Sequence, residues 1–409
     1  MSEGLIRRDL RDMWAIRGFR PLFAARFVSN VGNGMTPIAL AFGVLALPGG
    51  DATALSYVTA SQMAPIVVFL LVGGVMADRI GRARLVGLTD IVGAAVVAAN
   101  AVLFITGEAT VLLLCVTGVL LGSINAIWHP AFAGLIPDVV PAERLQSGNA
   151  LVGFAANLGF TIGASAAGVI VSTAGPGWAI LLDAASFMVA GILVWRLRTE
   201  RPTTASEGRQ PSALREMREG WHEFRSRRWL VVSVASFAVV FMCFEALIGV
   251  LAPLQMDESY AGAQSMGWMM SAFGAGSIIG VLVALRVRVA RPLAFALRCL
   301  TVVGLWMIAV ASSAPLPLLV AVAFAAGLGL DLFVILWMTA VQRHVPSEAL
   351  SRVGSFEAFG SIAFAPLGLL LAGPLATWIG TESALVIAGG ATLAACLAAL
   401  SSRSVRSLA

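Results

Sequence analysis

The sequence has no lysine, and only 12% of its 409 residues carry a charged side chain, against about 25% in an ordinary soluble domain. Ionised groups at that density cannot cover a water-facing surface. A pair of soluble domains is excluded, and so is a disordered chain. Cysteine is scarce as well. Cys115, Cys243, Cys299 and Cys396 lie inside apolar runs without C-x-x-C or Cys/His spacing. They read as small core hydrophobes, which excludes a disulfide scaffold or a metal site. A Walker A loop, H-E-x-x-H and G-x-S-x-G are missing too, so neither ATP hydrolysis, a cofactor nor an enzyme activity is expected. No cluster has the pattern of a nucleic-acid site. The charged opening, MSEGLIRRDLRDMWAIRGFR, has no short apolar core or A-x-A site and is not expected to be a signal peptide.

What is abundant is long apolar sequence. Crossing a bilayer takes roughly 20 apolar residues of helix, and such runs fall near 21–46, 55–77, 85–106, 110–134, 147–173, 177–195, 229–254, 264–285, 292–313, 316–341, 353–373 and 383–401. Barrel strands would alternate over about ten residues; these runs are apolar all round. The expected fold is an all-α integral membrane protein with twelve transmembrane helices.

All 27 basic residues are arginine, and 25 of them fall in segments that share one side of the bilayer when the N-terminus is inside. The loops on the other side hold none, only acids such as Asp51, Glu108, Asp257, Glu258 and Glu382. This positive-inside bias puts both termini in the cytoplasm, as in a bacterial inner-membrane protein. The same bias accounts for the net charge of +5.

A polar segment at 196–228 separates an N-terminal six-helix bundle, 1–195, from a C-terminal one, 229–409. Leu214, Met217, Trp221 and Phe224 recur in it at 3-4-3 spacing, near Arg225, Arg227 and Arg228, which suggests an amphipathic helix on the inner leaflet. The halves share a register. PAERL at 141–145 and PSEAL at 346–350 lie 205 residues apart, as do Gly163 and Gly368, and Gly168 and Gly373; Gly74 and Gly280 are 206 apart. Two parallel six-helix repeats are a transporter architecture.

Between spans two and three stands GVMADRIGRAR, with Gly74, Asp78, Arg79, Gly81, Arg82 and Arg84 in the pattern G-x-x-x-D-R-x-G-R-[RK]-[RK] and Ala83 as the departure. It resembles motif A of the major facilitator superfamily. FRPLFAARFVSNVGNGM, HPAFAGLIPDVVPAERLQSGNAL, LLDAASFMVAGILVWR and VQRHVPSEALSRVGSFEAFGSIAFAPLGLLLAGPLA resemble its branch of macrolide and tetracycline efflux proteins and enterobactin exporters. Three features depart from the family pattern. Span five has Gly159, Gly163 and Gly168 but no proline, no arginine precedes Gly122 in span four, and Ala284 replaces the acid in the second copy of motif A.

The resemblance implies that spans one, four, seven and ten line a central path, and each carries an ionisable residue: Arg26, His129, Glu245 and Asp331. A charge at mid-membrane costs about 3 kcal/mol or more, so such residues face protein or water. Glu245 and Asp331, and with them Arg26, are the candidates for carrying a proton or meeting a charged substrate. By its place in span seven Glu245 falls in the outer half of the bilayer, and Asp331 in the inner half. Asn30 and Asn33 continue the polar stripe of span one, while Phe333 and Trp337 share a helix face beyond Asp331. With His129 these complete the cavity-lining set. Asp90, Asp183, Arg298 and Glu357 rank below them. Asp183 is expected to serve the fold, and Glu357 and Arg298 could pair.

The resemblance implies a monomeric secondary exporter of small amphipathic substrates, exchanging protons by alternating access. The alternatives are siderophore or lysophospholipid transport, and a transport-dead scaffold. The resemblance further implies that motif A latches the cytoplasmic side, so Asp78→Asn should slow transport of a substrate while leaving its binding intact. An unaltered transport rate would contradict that role.

Overall fold

Long apolar runs become helices because, in hydrocarbon, each backbone N–H and C=O must find its partner within its own segment. In the computed structural model the described residues are 12–197, 221–284, 286 and 289–406, with only the backbone described at 70–79, 347–352 and 355. Twelve helices among them are long and apolar enough to span a membrane. They are Phe19–Leu45, Ala52–Phe69 (continuing helically to Ile80), Arg82–Thr106, Val111–Val139, Ala142–Ala174, Pro176–Trp195, Arg228–Ser259, Ala263–Ala284, Pro292–Ala311, Leu316–His344, Phe356–Ile379 and Thr381–Ser401. Many large apolar side chains face outward from them, among them Leu112, Val119, Leu371 and Leu397. Such a surface suits lipid tails and not water. All four cysteines are free, with Cys243 and Cys396 buried. Of the amphipathic pattern, Leu214 and Met217 lie outside the described residues, while Trp221 and Phe224 stack at 5.8 Å.

Internal packing divides the chain into two units, Met1–Pro48 with Ser61–Ala205 and Gly49–Ala60 with Ser206–Ala409. Each unit is built on the same helix pairs. In the first, span one packs on spans five and six, and span three on spans four and six. In the second, span seven packs on spans eleven and twelve, and span nine on spans ten and twelve.

Glycine makes these pairs possible. Lipid tails are as apolar as leucine side chains, so membrane helices associate through close backbone contact at small residues. A methyl group at Gly163 would overlap the carbonyl oxygen of Val31 in span one, and one at Gly368 would overlap that of Met242 in span seven. These positions are the 205-residue pair picked out by the repeat. Spans three and six meet at Gly87 and Gly191, where an added carbon would lie 3.0 Å from the opposite glycine's carbonyl oxygen. Spans nine and twelve meet in the same way at Gly304 and Gly389, at 2.9 and 2.8 Å. The connections repeat as well. Gly175 and Gly380, again 205 apart, turn the chain into spans six and twelve with φ of 94° and 88°, a conformation costly for any residue with a Cβ.

Filling these contacts forces helices apart, and overpacking of this kind costs about 1–3 kcal/mol or more. Gly163→Val and Gly368→Val should each lower the melting temperature of the detergent-solubilised protein, whereas Gly153→Ala, at a position with open space around it, should not. Equal melting temperatures for all three would show that the backbone contacts are not what holds the bundles.

Candidate functional site

The polar stripe of span one follows from helical spacing. Asn30 donates to the backbone carbonyl of Arg26 one turn earlier at 2.8 Å, which fixes its amide along the helix. The Arg26 guanidinium lies over the rings of Trp128 and Phe132 in span four, 5.2 and 4.9 Å from their centroids. Those two rings are themselves stacked at 4.6 Å. A guanidinium over aromatic faces gains cation–π attraction, which offsets part of the cost of leaving water.

Two turns further on, Gly32 has no side chain because Asp183 and Ser186 of span six occupy that space. The Asp183 carboxylate accepts a hydrogen bond from the Thr36 hydroxyl, and the Ser186 hydroxyl lies 3.4 Å from its other oxygen. Asp183 is 1% exposed. It therefore joins spans one and six.

Between these elements the first unit holds a partly open chamber of about 160 Å³ with polar groups in its walls. Asn33 and Thr36 of span one, Gln62 of span two, Thr89 and Asp90 of span three, Asn125 and Trp128 of span four and Asp183 of span six all line it. The structure thus brings together two carboxyls that sequence reasoning ranked low. Asp90 is 6% exposed. Arg26 acts on it electrostatically, but the two form no ion pair among the described residues. Asn33 and Arg26 are both associated with this chamber, Asn33 as a wall and Arg26 through Asp90 and Trp128. His129 packs edge-on against Trp128 at 5.3 Å and is not among the chamber's walls.

Motif A lies at the end of the same unit where span two gives way to span three. The helical backbone of span two carries Gly74, Asp78 and Arg79, whose side chains lie outside the described residues. Gly81 makes the break into span three with φ of 95°. Arg82 then reaches across to span four, donating to the Gly134 carbonyl at 3.0 Å and to Asp138 at 2.8 Å. Arg84 is exposed. A second ion pair, Arg144 with Asp12 at 2.9 Å, ties the start of span five to the segment before span one. Asp138 and Asp12 were not anticipated. The only signal for Asp138 was its place just past the apolar run of span four.

In the second unit, the chain N-terminal to Glu245 presents a row of rings. Phe237 stacks on Phe333 at 5.1 Å and Phe333 on Trp337 at 6.2 Å, while Phe244 and Trp306 enclose Phe273 at 5.7 and 5.4 Å. Phe333 and Trp337 are 2% and 6% exposed. They form part of this packed ladder, and the Trp337 indole donates to Glu357 at 3.1 Å. Glu357 also takes Ser361 at 3.4 Å, while Arg298 is exposed; the suggested Glu357–Arg298 pair is not formed.

Glu245 and Asp331 are both partly buried within their spans, and neither carboxyl has a hydrogen-bond or ion-pair partner among the described residues. Glu245 is followed by a π-helical turn, Leu247–Leu251, an irregularity that often accompanies functional sites. Nothing in the residue pattern announced it.

Comparison with known proteins agrees with this architecture. The family model of the Major Facilitator Superfamily matches residues 22–255 and 235–407. The chain is 26% identical to the multidrug efflux pump Tap of Mycolicibacterium fortuitum, over 88% of this chain and 90% of that protein. It is also 26% identical to the enterobactin exporter EntS of Shigella boydii, over 64% and 62%. Among solved structures it is similar to the nucleoside transporter NupG, with a TM-score of 0.72, 14% identity and coverage of 94% and 98%. A peptide transporter of the POT family gives 0.71, 17%, 94% and 94%. The family model spans nearly the whole of a chain folded into twelve apolar helices, and the protein is a multi-pass membrane transporter belonging to the Major Facilitator Superfamily.

Proposed function

We propose that this transporter is a secondary exporter of amphipathic small molecules, exchanging protons for substrate by alternating access. We place it in a bacterial cytoplasmic membrane as a monomer, with both termini inside. The observation that carries this reading is Glu245, a carboxyl within span seven that has no described partner and stands between an aromatic ladder and a π-helical turn. An ionisable group held in hydrocarbon at such expense is a functional group by default. Asp331 in span ten has the same character. The cycle needs groups that take a proton from one side of the membrane and yield it to the other, and these two carboxyls supply that chemistry. Similarity to multidrug efflux pumps over most of both chains supports the direction and the class of substrate. Similarity to an enterobactin exporter, over a shorter stretch, favours siderophore export as the second reading.

Accumulation of a panel of dyes and antibiotics in efflux-deficient cells tests the proposal. Wild type should lower accumulation several-fold, a protonophore should abolish the effect, and Glu245→Gln or Asp331→Asn should behave like the empty vector. An effect that survives the protonophore would contradict proton coupling. No effect across the panel would move siderophore transport to first place.

A further inference from the structure

The chamber of the N-terminal unit is not needed by the export reading above, yet it is built like a binding site. Its volume of about 160 Å³ holds several water molecules and falls below the roughly 300–1,000 Å³ of sites that enclose drug-sized ligands. Its walls bring Asn33, Thr36, Gln62, Thr89, Asn125 and two carboxyls together with apolar side chains such as Leu121 and Phe187.

The two carboxyls differ in one respect that decides their roles. Asp183 is bound by the hydroxyls of Thr36 and Ser186, which leaves it a structural crosslink. Asp90 is more than nine-tenths buried, lines the chamber and accepts no hydrogen bond of good geometry from any described group. The indole N–H of Trp128 is within reach of its carboxyl but is itself unsatisfied. A buried indole donor left open and a carboxyl lining the same small space suit an occupant that both donates and accepts, and water carrying or delivering a proton does so.

The charges around Asp90 point the same way. Span one contributes Arg26, span six Asp183, and span four His129 behind Trp128; span two contributes only the neutral Gln62 among its described side chains. Among the described residues Arg26 is the cation that acts on Asp90. It rests on the faces of Trp128 and Phe132 instead of pairing with the carboxyl. An ionised Asp90 would draw that guanidinium across; a neutral one leaves it on the rings.

We propose that this chamber is a proton-binding site of the N-terminal unit, in which the Asp90 carboxyl takes up and releases the proton and Arg26 alternates between the aromatic rings and the ionised carboxylate. Taking up the proton converts Asp90 from carboxylate to carboxylic acid and frees Arg26 to the rings. Release returns the proton to chamber water, and Arg26 becomes the countercharge. The site is separate from Glu245 and Asp331. Its part in transport rests on the proton-exchange reading above, but its protonation does not.

Infrared difference spectroscopy of the purified full chain in lipid, between acid and alkaline pH, tests the site directly. Wild type and Glu245→Gln should share a carboxylic-acid carbonyl component that shifts in D₂O and is missing from Asp90→Asn. Asp90→Glu should keep the component at a moved position, which guards against a folding defect in the first variant. In inverted vesicles containing ethidium, Asp90→Asn should still equilibrate the dye but lose its uphill accumulation. A spectrum of Asp90→Asn that superimposes on wild type would overturn the proposal, as would a component governed by sodium instead of pH. If wild type moves no dye at all, the export reading fails, while the infrared comparison still decides the role of Asp90.

Discussion

Everything polar in this molecule is governed by the absence of water from the bilayer core. A charge there costs about 3 kcal/mol or more, so each one must be satisfied from a neighbouring helix or face an internal space. Asp183 shows the first solution, with hydroxyls of spans one and six closing on its oxygens. Arg26 uses a neighbouring helix too, with its guanidinium against aromatic faces of span four. Asp90 shows the second, a carboxyl in the wall of the chamber, while Glu245 and Asp331 have no described partner. In the proton exchange we propose, such groups without a fixed partner are the ones that change their protonation state.

The same constraint shapes the scaffold. Hydrophobic burial does not separate helix–helix from helix–lipid contact here, so the bundles depend on backbones coming close at glycine. Span one against span five and span seven against span eleven use glycines 205 residues apart; the turns at Gly175 and Gly380 keep the same offset. Gly32 joins scaffold to site, because its missing side chain leaves the room that Asp183 fills. The packing of span one thus places Asn33 and Thr36 at the chamber wall.

The sequence made the number and placement of the spans legible, because runs of about twenty apolar residues have few other uses. Their ends were less so: span four continues to Val139, past the apolar run that closes near residue 134 and through Pro130 and Pro137. The repeat was legible in its glycines, whose spacing records where backbones touch. The carboxyl pairings were not. Thr36 and Asp183 are 147 residues apart, and nothing in either local pattern says which helix face meets which. For that reason Asp90 ranked below Glu245 and Asp331 until the chamber brought spans one, two, three, four and six together around it. The π-helical turn after Glu245 left no trace in residue type, and the Arg82–Asp138 tie depends on how the start of span three meets the end of span four.

The most direct test of proton-coupled export is to record dye and proton movement together in proteoliposomes containing the wild-type protein, with ethidium inside and a pH gradient imposed across the membrane. The account predicts that reversing the gradient reverses net dye movement, and that each dye displacement is matched by a proton displacement in the opposite direction. Dye movement that is indifferent to the gradient and leaves internal pH unchanged would contradict it.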